Sequence, residues 1–139
     1  GERRVPMTSF YRWSGETVVK PHELIKSIAV PRTTFRQAQV FEKSAGWDGD
    51  FADASAAVNL TWDGERLISA AISLGAVSPL PIRATATEEA LVDGKRSDKA
   101  IRVAAEMVVH GALPLSDNAH KANLVVNLTE RAIHRCLAG

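Results

Sequence analysis

The sequence predicts an α+β domain: a small antiparallel sheet of three or four strands, packed by about three helices on one face and preceded by an extended N-terminal arm. Three observations predict it. Strand-period alternation is confined to residues 36–74, and helix-period spacing to residues 85–138. Strands grouped ahead of helices argue for α+β rather than alternating βαβ units. Finally, 139 residues with 45% apolar and 24% charged content suffice for one soluble core without disulfide or metal staples.

Residues 1–35 read as an arm, or as the tail of a preceding domain, and residues 36–139 as the α+β domain. Arg4 to Tyr11 is expected to be extended, with Pro6 placing it at an edge. Ser14-Gly15-Glu16 is a turn, and Pro21 to Ile28 has room for one or two helical turns. Ala29-Val30 ahead of Pro31 is extended, because proline pushes its predecessor out of the helical region.

The first strand of the sheet runs from Arg36 to Lys43. The clearest strand follows a loop: Ala56, Val58, Leu60 and Trp62 share one face, and Ser55, Ala57, Asn59 and Thr61 the other. Asp63-Gly64 signals a hairpin turn. The return strand places Ile68, Ala70, Ile72 and Leu74 on one face and Ser69, Ala71 and Ser73 on the other. The second face is built of small residues, and a helix layer is the simplest partner for it.

Pro79 and Pro81 exclude helix and central strand. Thr85 or Thr87 then caps a short helix through Leu91, closed near Gly94. Ser97 caps a second helix with Ile101, Ala104, Ala105 and Val108 at helical spacing, ending at Gly111. Asp117 or Asn118 starts a third, striped by Leu124, Leu128 and Ala132, that runs to about Gly139.

Function classes narrow by charge and composition. A net charge of +1 and only two adjacent basic pairs, Arg3-Arg4 and Lys95-Arg96, favour neither nucleic acid nor an anionic membrane. No apolar run approaches the roughly 20 residues that cross a bilayer, and no apolar signal-peptide core opens the chain. The absence of an initiator Met suggests a processed or truncated start. A single cysteine, Cys136, forms no internal disulfide and points to a reducing, cytoplasmic compartment, as a helix-packing residue rather than a nucleophile. Four histidines without ligand spacing argue against a metal site. No P-loop, Gly-x-Gly-x-x-Gly or nucleophile elbow is present, so no catalytic residue is named.

One stretch stands apart. Val40 to Ala52 runs from an alternating segment into a loop rich in Gly, Asp and aromatics, with Trp47 and Phe51 in it. Its aromatics either meet a flat partner or cap the core of a structured hairpin. Asp48 and Asp50 are either an acidic pair on one side of the loop or solvated turn residues.

Four stretches in order carry a family resemblance. They are Arg4-Val5-Pro6-Met7-Thr8-Ser9-Phe10-Tyr11 continuing to Glu23–Pro31; Phe41-Glu42-Lys43 with Gly49-Asp50-Phe51-Ala52 and Ala56-Ala57-Val58; Gly75-Ala76-Val77-Ser78-Pro79-Leu80-Pro81-Ile82-Arg83-Ala84 with Glu88 or Glu89 and Leu91; and Pro114-Leu115-Ser116-Asp117. Together they resemble the C-terminal part of the FAD-binding (medium) subunit of molybdenum hydroxylases, the carbon monoxide dehydrogenase and xanthine dehydrogenase group. The third stretch is similar to that family's Gly-Gly-Val-Ala-x-x-Pro-x-Arg-Ala. The family's usual Tyr-Arg ahead of the last helix is replaced by His120-Lys121. Lysine does not reproduce a bidentate arginine pairing.

The resemblance implies an oxidoreductase complex in which this chain alone is inactive. Substrate would be oxidised at a molybdopterin centre on a large subunit. Electrons would pass through [2Fe-2S] clusters on a small subunit to FAD, and then to an external acceptor. It implies that Phe51 lies against the isoalloxazine ring, that Ile25 is an aliphatic neighbour of the cofactor, that Glu42 or Lys43 occupies the place of a basic residue beside it, and that Asp50 belongs to the same loop. It implies no catalytic residue and no metal ligand in this chain. The family's Gly-rich loops, which hold the FAD diphosphate, have no counterpart here. The FAD site is therefore expected to be shared with an N-terminal segment or subunit, this chain being a fragment or one product of a split gene. The rival expectation is a stand-alone interaction or assembly module of the same fold that has lost flavin binding.

Overall fold

The structure is a computed structural model that describes residues 1–139. They fall into two compact units, Gly1–Thr34 and Phe35–Gly139. In the first, a single 3-10 turn at Met7–Ser9 replaces the expected extended chain. Pro6 fits its N-terminal side, where a missing N–H costs nothing. A hairpin follows, β1 (Tyr11–Trp13) and β2 (Glu16–Thr17), turning through Gly15 at φ 72°. Arg3 clamps this unit: its Nε and Nη2 donate to the Glu23 carboxylate at 2.8 and 2.6 Å, and Nη2 also reaches the Val18 carbonyl at 2.6 Å. With the Lys20 N–H added, these bonds hold the Glu23 carboxyl down to about 2.

No helix forms between Pro21 and Ile28, contrary to the sequence expectation. A one- or two-turn helix needs packing to offset its nucleation cost. Leu24, Ile25, Ile28 and Val30 are all exposed, so that packing is missing.

The second unit is built on a four-stranded antiparallel sheet in the order β3 (Arg36–Ser44), β4 (Ala54–Asp63), β5 (Arg66–Gly75), β6 (Ile82–Arg83). Three helices follow: α1 (Thr85–Asp93), α2 (Asp98–Glu106) and α3 (His120–Ala138). Helix α3 packs across β3 and β4, α1 across β5, and α2 against both helices. The α+β class and the one-sided helix layer are thus as the sequence predicts.

Alternation along β4 puts Ala56, Val58, Leu60 and Trp62 in the core, where they meet Leu91, Ile101, Leu128 and Ile133 of the helices. The hairpin to β5 differs in one detail. Asp63 pairs with Arg66, so the connecting residues are Gly64 and Glu65, with Gly64 at φ 59°. A bulge follows: Trp62 pairs with Leu67 and Thr61 with Ser69, leaving Ile68 unopposed. The bulge shifts the parity of the strand, so Leu67 rather than Ile68 enters the core. Burying that leucine contributes about 1.5–3 kcal/mol.

The small-residue face of the sheet carries no helix of this unit. All three helices sit on the opposite face, where Leu60, Ile72 and Leu74 offer far more apolar area to bury.

The helix starts also depart from expectation in instructive ways. Neither Thr85 nor Thr87 caps α1; Ala84 holds that position without a side-chain bond. Thr87 is instead fully buried and donates to the Ala104 carbonyl at 2.9 Å, tying α1 to α2. Ser97 does cap α2, its Oγ accepting from the Ala100 N–H at 3.4 Å. Helix α2 ends at Glu106 and passes through a 3-10 turn, Met107–Val109, to Gly111 at φ 78°. Helix α3 begins at His120, not at Asp117 or Asn118, because the Asn118 side chain is used in the loop to accept from the Leu115 N–H at 2.7 Å. No helix is long and apolar enough to cross a membrane.

Candidate functional site: the loop between β3 and β4

The loop from Ala45 to Asp53 joins two strands that pair along their whole length, so its base is fixed before its tip is considered. The Asp53 N–H donates to the Ser44 carbonyl at 2.8 Å and closes that base. Inside, the Asp50 N–H donates to the Trp47 carbonyl at 3.1 Å. Gly49 stands at φ 94°, and a side chain there would lie 3.1 Å from the Trp47 ring. Both facts demand glycine. Asp50 then organises the tip: its Oδ1 accepts from the Phe51 N–H at 2.8 Å, and its carbonyl accepts from the Lys43 ammonium at 2.9 Å.

The consequence is an ordered loop that presents a bare aromatic. Phe51 is 95% exposed. Leaving such a ring in water forgoes about 1.5–3 kcal/mol that covering it would supply. Trp47, in the same loop, is exposed as well, with Gly49 close to its ring. The loop aromatics therefore do not cap the core. Asp48 and Asp50 do not act as a pair held by a common partner, Asp50 being engaged within the loop.

Glu42 and Lys43 are neighbours in sequence but point to different environments. Glu42 is 7% exposed and faces α3. Its Oε2 accepts from Arg131 Nε and Nη2 at 2.9 and 2.5 Å, and its Oε1 from Arg135 Nη1. Burial pushes its carboxyl upward, but the hydrogen bonds from Arg135 and Arg131 outweigh it and hold the group below its ordinary value. Both oxygens of Glu42 are thus spoken for within the protein, whereas Lys43 is exposed and reaches the loop tip. Ile25 lies in the N-terminal unit and is 62% exposed.

Arg131 and Arg135 are the residues that sequence reading missed. Their signal was present: two arginines one turn apart on a helix whose neighbouring positions, Leu128 and Ala132, are core. Cys136, next along, is buried with its thiol directed to the Ala38 and Val58 carbonyls, and burial pushes that thiol up. No group of three or more His, Cys, Asp or Glu side chains is placed to hold a metal ion.

The loop, β4, most of β3 and the Glu42–Arg131 clamp lie inside a match to a known family. The family model described as CO dehydrogenase flavoprotein C-terminal domain covers residues 39–136. The chain belongs to this family. Among curated relatives, the carbon monoxide dehydrogenase medium chain of Afipia carboxidovorans is 28% identical over 142 residues, covering 99% of this chain and 49% of that protein. Xanthine dehydrogenase of Drosophila pseudoobscura pseudoobscura is 29% identical over 134 residues, covering 90% of this chain and 10% of that protein.

The fold comparison agrees. A solved carbon monoxide dehydrogenase from Hydrogenophaga pseudoflava superposes with a TM-score of 0.87 at 26% identity, over 98% of this chain and 49% of that one. Quinoline 2-oxidoreductase from Pseudomonas putida superposes at 0.81 and 28% identity, over 93% of this chain and 46% of that one. This flavoprotein C-terminal domain spans about half the length of the carbon monoxide dehydrogenase medium chains it matches. Phe51, Asp50, Lys43 and Glu42 lie inside the matched stretch, and Ile25 outside it.

Proposed function

We propose that this chain forms one wall of a flavin site in the flavoprotein subunit of a molybdenum-containing hydroxylase or dehydrogenase. That subunit hands electrons from iron–sulfur clusters to an external acceptor. The observation that carries the reading is the Phe51 ring, 95% exposed at the tip of a loop that is otherwise tied down. A fixed, bare aromatic is a stacking platform for a flat partner.

The side chains fit a flavin ring better than they fit its phosphates. Phe51 would lie against the ring, Lys43 would place a cation beside it, and Asp50 would hold both through its carboxylate and carbonyl. Ile25 would add an aliphatic neighbour. Of Glu42 and Lys43, Lys43 is the one with donors to spare, so it takes the basic role and Glu42 braces the strand beneath. No Gly-rich loop is available to cradle a diphosphate, so that half of the grip belongs to a flavin-binding segment or subunit N-terminal in the family's order. FAD, when bound, supplies the redox chemistry, and the protein supplies position and local charge.

The implied partners are that flavin-binding half, a large subunit carrying molybdopterin and a small subunit carrying [2Fe-2S] clusters. The names of the relatives support this, carbon monoxide dehydrogenase medium chain among them. A cytoplasmic location belongs to the same proposal, supported by a buried thiol with no disulfide partner. The test is the visible spectrum and metal content of the complex that purifies with this chain. Flavin bands near about 450 nm, with molybdenum and iron, are expected. A colourless complex without either metal overturns the proposal.

A further inference from the structure

The sheet face turned away from the helices has the shape of a trough. One cross-strand row reads Phe41, Ala57, Ser73, Arg83, from β3 through β4 and β5 to β6. The next reads Gln39, Asn59, Ala71. Small side chains thus line the two central strands, and large ones rise on the outer strands. The depression holds about 480 Å³. Its floor continues to Gly75, where a side chain would meet Ser55 Oγ at 2.5 Å.

Two observations say that the trough is built to be covered. Phe41 is 63% exposed on its rim. Asn59 Oδ1, in its centre, is buried yet has no hydrogen-bond donor. A buried carbonyl left without a donor costs about 1–3 kcal/mol, which a partner N–H would recover. The rim charge of Arg83 is already neutralised by Glu88, through bonds of 2.8 and 2.7 Å. The face therefore presents amides, hydroxyls and methyl groups, with no unmet charge between Phe41 and Arg83.

We infer that this trough receives one α-helix from the flavin-holding half of the subunit, lying along β4 and β5 and donating an N–H to Asn59 Oδ1. In the row that Arg83 closes, four strands at ~4.8 Å spacing set the walls roughly 14 Å apart, which admits one helix of about 10–12 Å. The matched medium chains supply the occupant: this chain covers 49% of one of them, so as much polypeptide again remains to be packed. Position supplies the side: Lys43 follows Phe41 on the same face of β3 and reaches the loop that presents Phe51. The donor must be a side-chain N–H, since backbone N–H groups inside a helix are already used.

The inference rests on the proposed flavoprotein role, and the experiment separates the two. The complex is purified through a tag on this chain carrying Ala71→Trp, which fills the trough, or Asn59→Leu, which removes the unpaired carbonyl. Expected is an affinity for the flavin-binding half reduced at least about tenfold by Ala71→Trp. The isolated chain keeps its thermal midpoint with Ala71→Trp and gains stability with Asn59→Leu, because the orphaned group is gone. A variant complex that retains its full share of that half and its flavin spectrum overturns the inference and leaves the flavoprotein role standing. A wild-type complex without flavin or that half overturns both.

Discussion

Glu42 and Arg131 are 89 residues apart in the chain and 2.5 Å apart in the fold. With Arg135 on the other carboxylate oxygen, they join the strand that feeds the Ala45–Asp53 loop to the last helix of the domain. The carboxylate is buried while both guanidinium groups stay more than half exposed. Removing the carboxylate therefore leaves arginines that water can solvate, and removing both arginines leaves the carboxylate without its partners.

Glu42→Gln is expected to cost about 1–3 kcal/mol at neutral pH, and the double change Arg131→Ala with Arg135→Ala to cost more. The pH dependence has a definite sign. A carboxyl held below its ordinary value contributes fully above that value and loses its contribution as the pH falls through the lowered one. Urea unfolding at neutral pH and at successively lower pH should show a shallower acid loss for Glu42→Gln than for the wild type. Parallel acid limbs in the two proteins would contradict the clamp.

Phe51→Ala should leave the stability of the isolated chain unchanged within about 0.5 kcal/mol, because the ring touches almost nothing. In the assembled complex the same change should lower flavin retention, read as the ratio of flavin to protein absorbance. A large drop in thermal midpoint for the isolated chain would mean that the ring is part of the fold rather than of a site.

Ala76 stands at φ 62°, the only non-glycine residue with positive φ in the chain. It occupies the second place of the stretch similar to Gly-Gly-Val in the family pattern. An L side chain in that region costs about 1–2 kcal/mol. Ala76→Gly is expected to recover up to about 1 kcal/mol of it, the rest being offset by glycine's greater freedom when unfolded. Chemical denaturation measures the gain, and a loss of stability would show that the strain is compensated by contacts of the methyl group.

Glu88 completes the sheet edge where β6 stops. Its Oε1 accepts from the Ile72 N–H at 2.6 Å and from Arg83 Nε at 2.8 Å. Glu88→Ala leaves a buried backbone N–H without an acceptor and should cost about 2–4 kcal/mol. Amide exchange at Ile72 should accelerate more than at Val58, its partner on the interior strand β4. Equal acceleration at both would point to global loosening instead.

The three long strands, the three helices and the Gly-, Asp- and aromatic-rich loop were legible in the sequence because each is a local pattern, whereas the two-residue strand β6 (Ile82–Arg83) lies in the stretch that Pro79 and Pro81 break and was not. Alternation from Ala56 to Trp62 and the stripe of Leu124, Leu128 and Ala132 at every fourth position need only the geometry of strand and helix to be read. The same locality explains the misses. The parity change at Ile68 comes from a bulge that depends on how two strands pair, and the start of α3 from where the Asn118 side chain finds its donor. Pro21 to Ile28 carried helix-forming residues, but its apolar side chains Leu24, Ile25 and Ile28 stay exposed.

For the candidate site, sequence alone determined which residues are present and that a Gly-, Asp- and aromatic-rich loop joins the two strands. Tertiary structure alone decided that the Glu42 carboxylate is consumed by Arg131 and Arg135, that Lys43 is left to tie the loop, and that Phe51 stands clear of the core. The division has one cause. Backbone preference acts over a few residues, whereas burial and charge pairing depend on what the fold brings alongside, here a helix some 89 residues downstream.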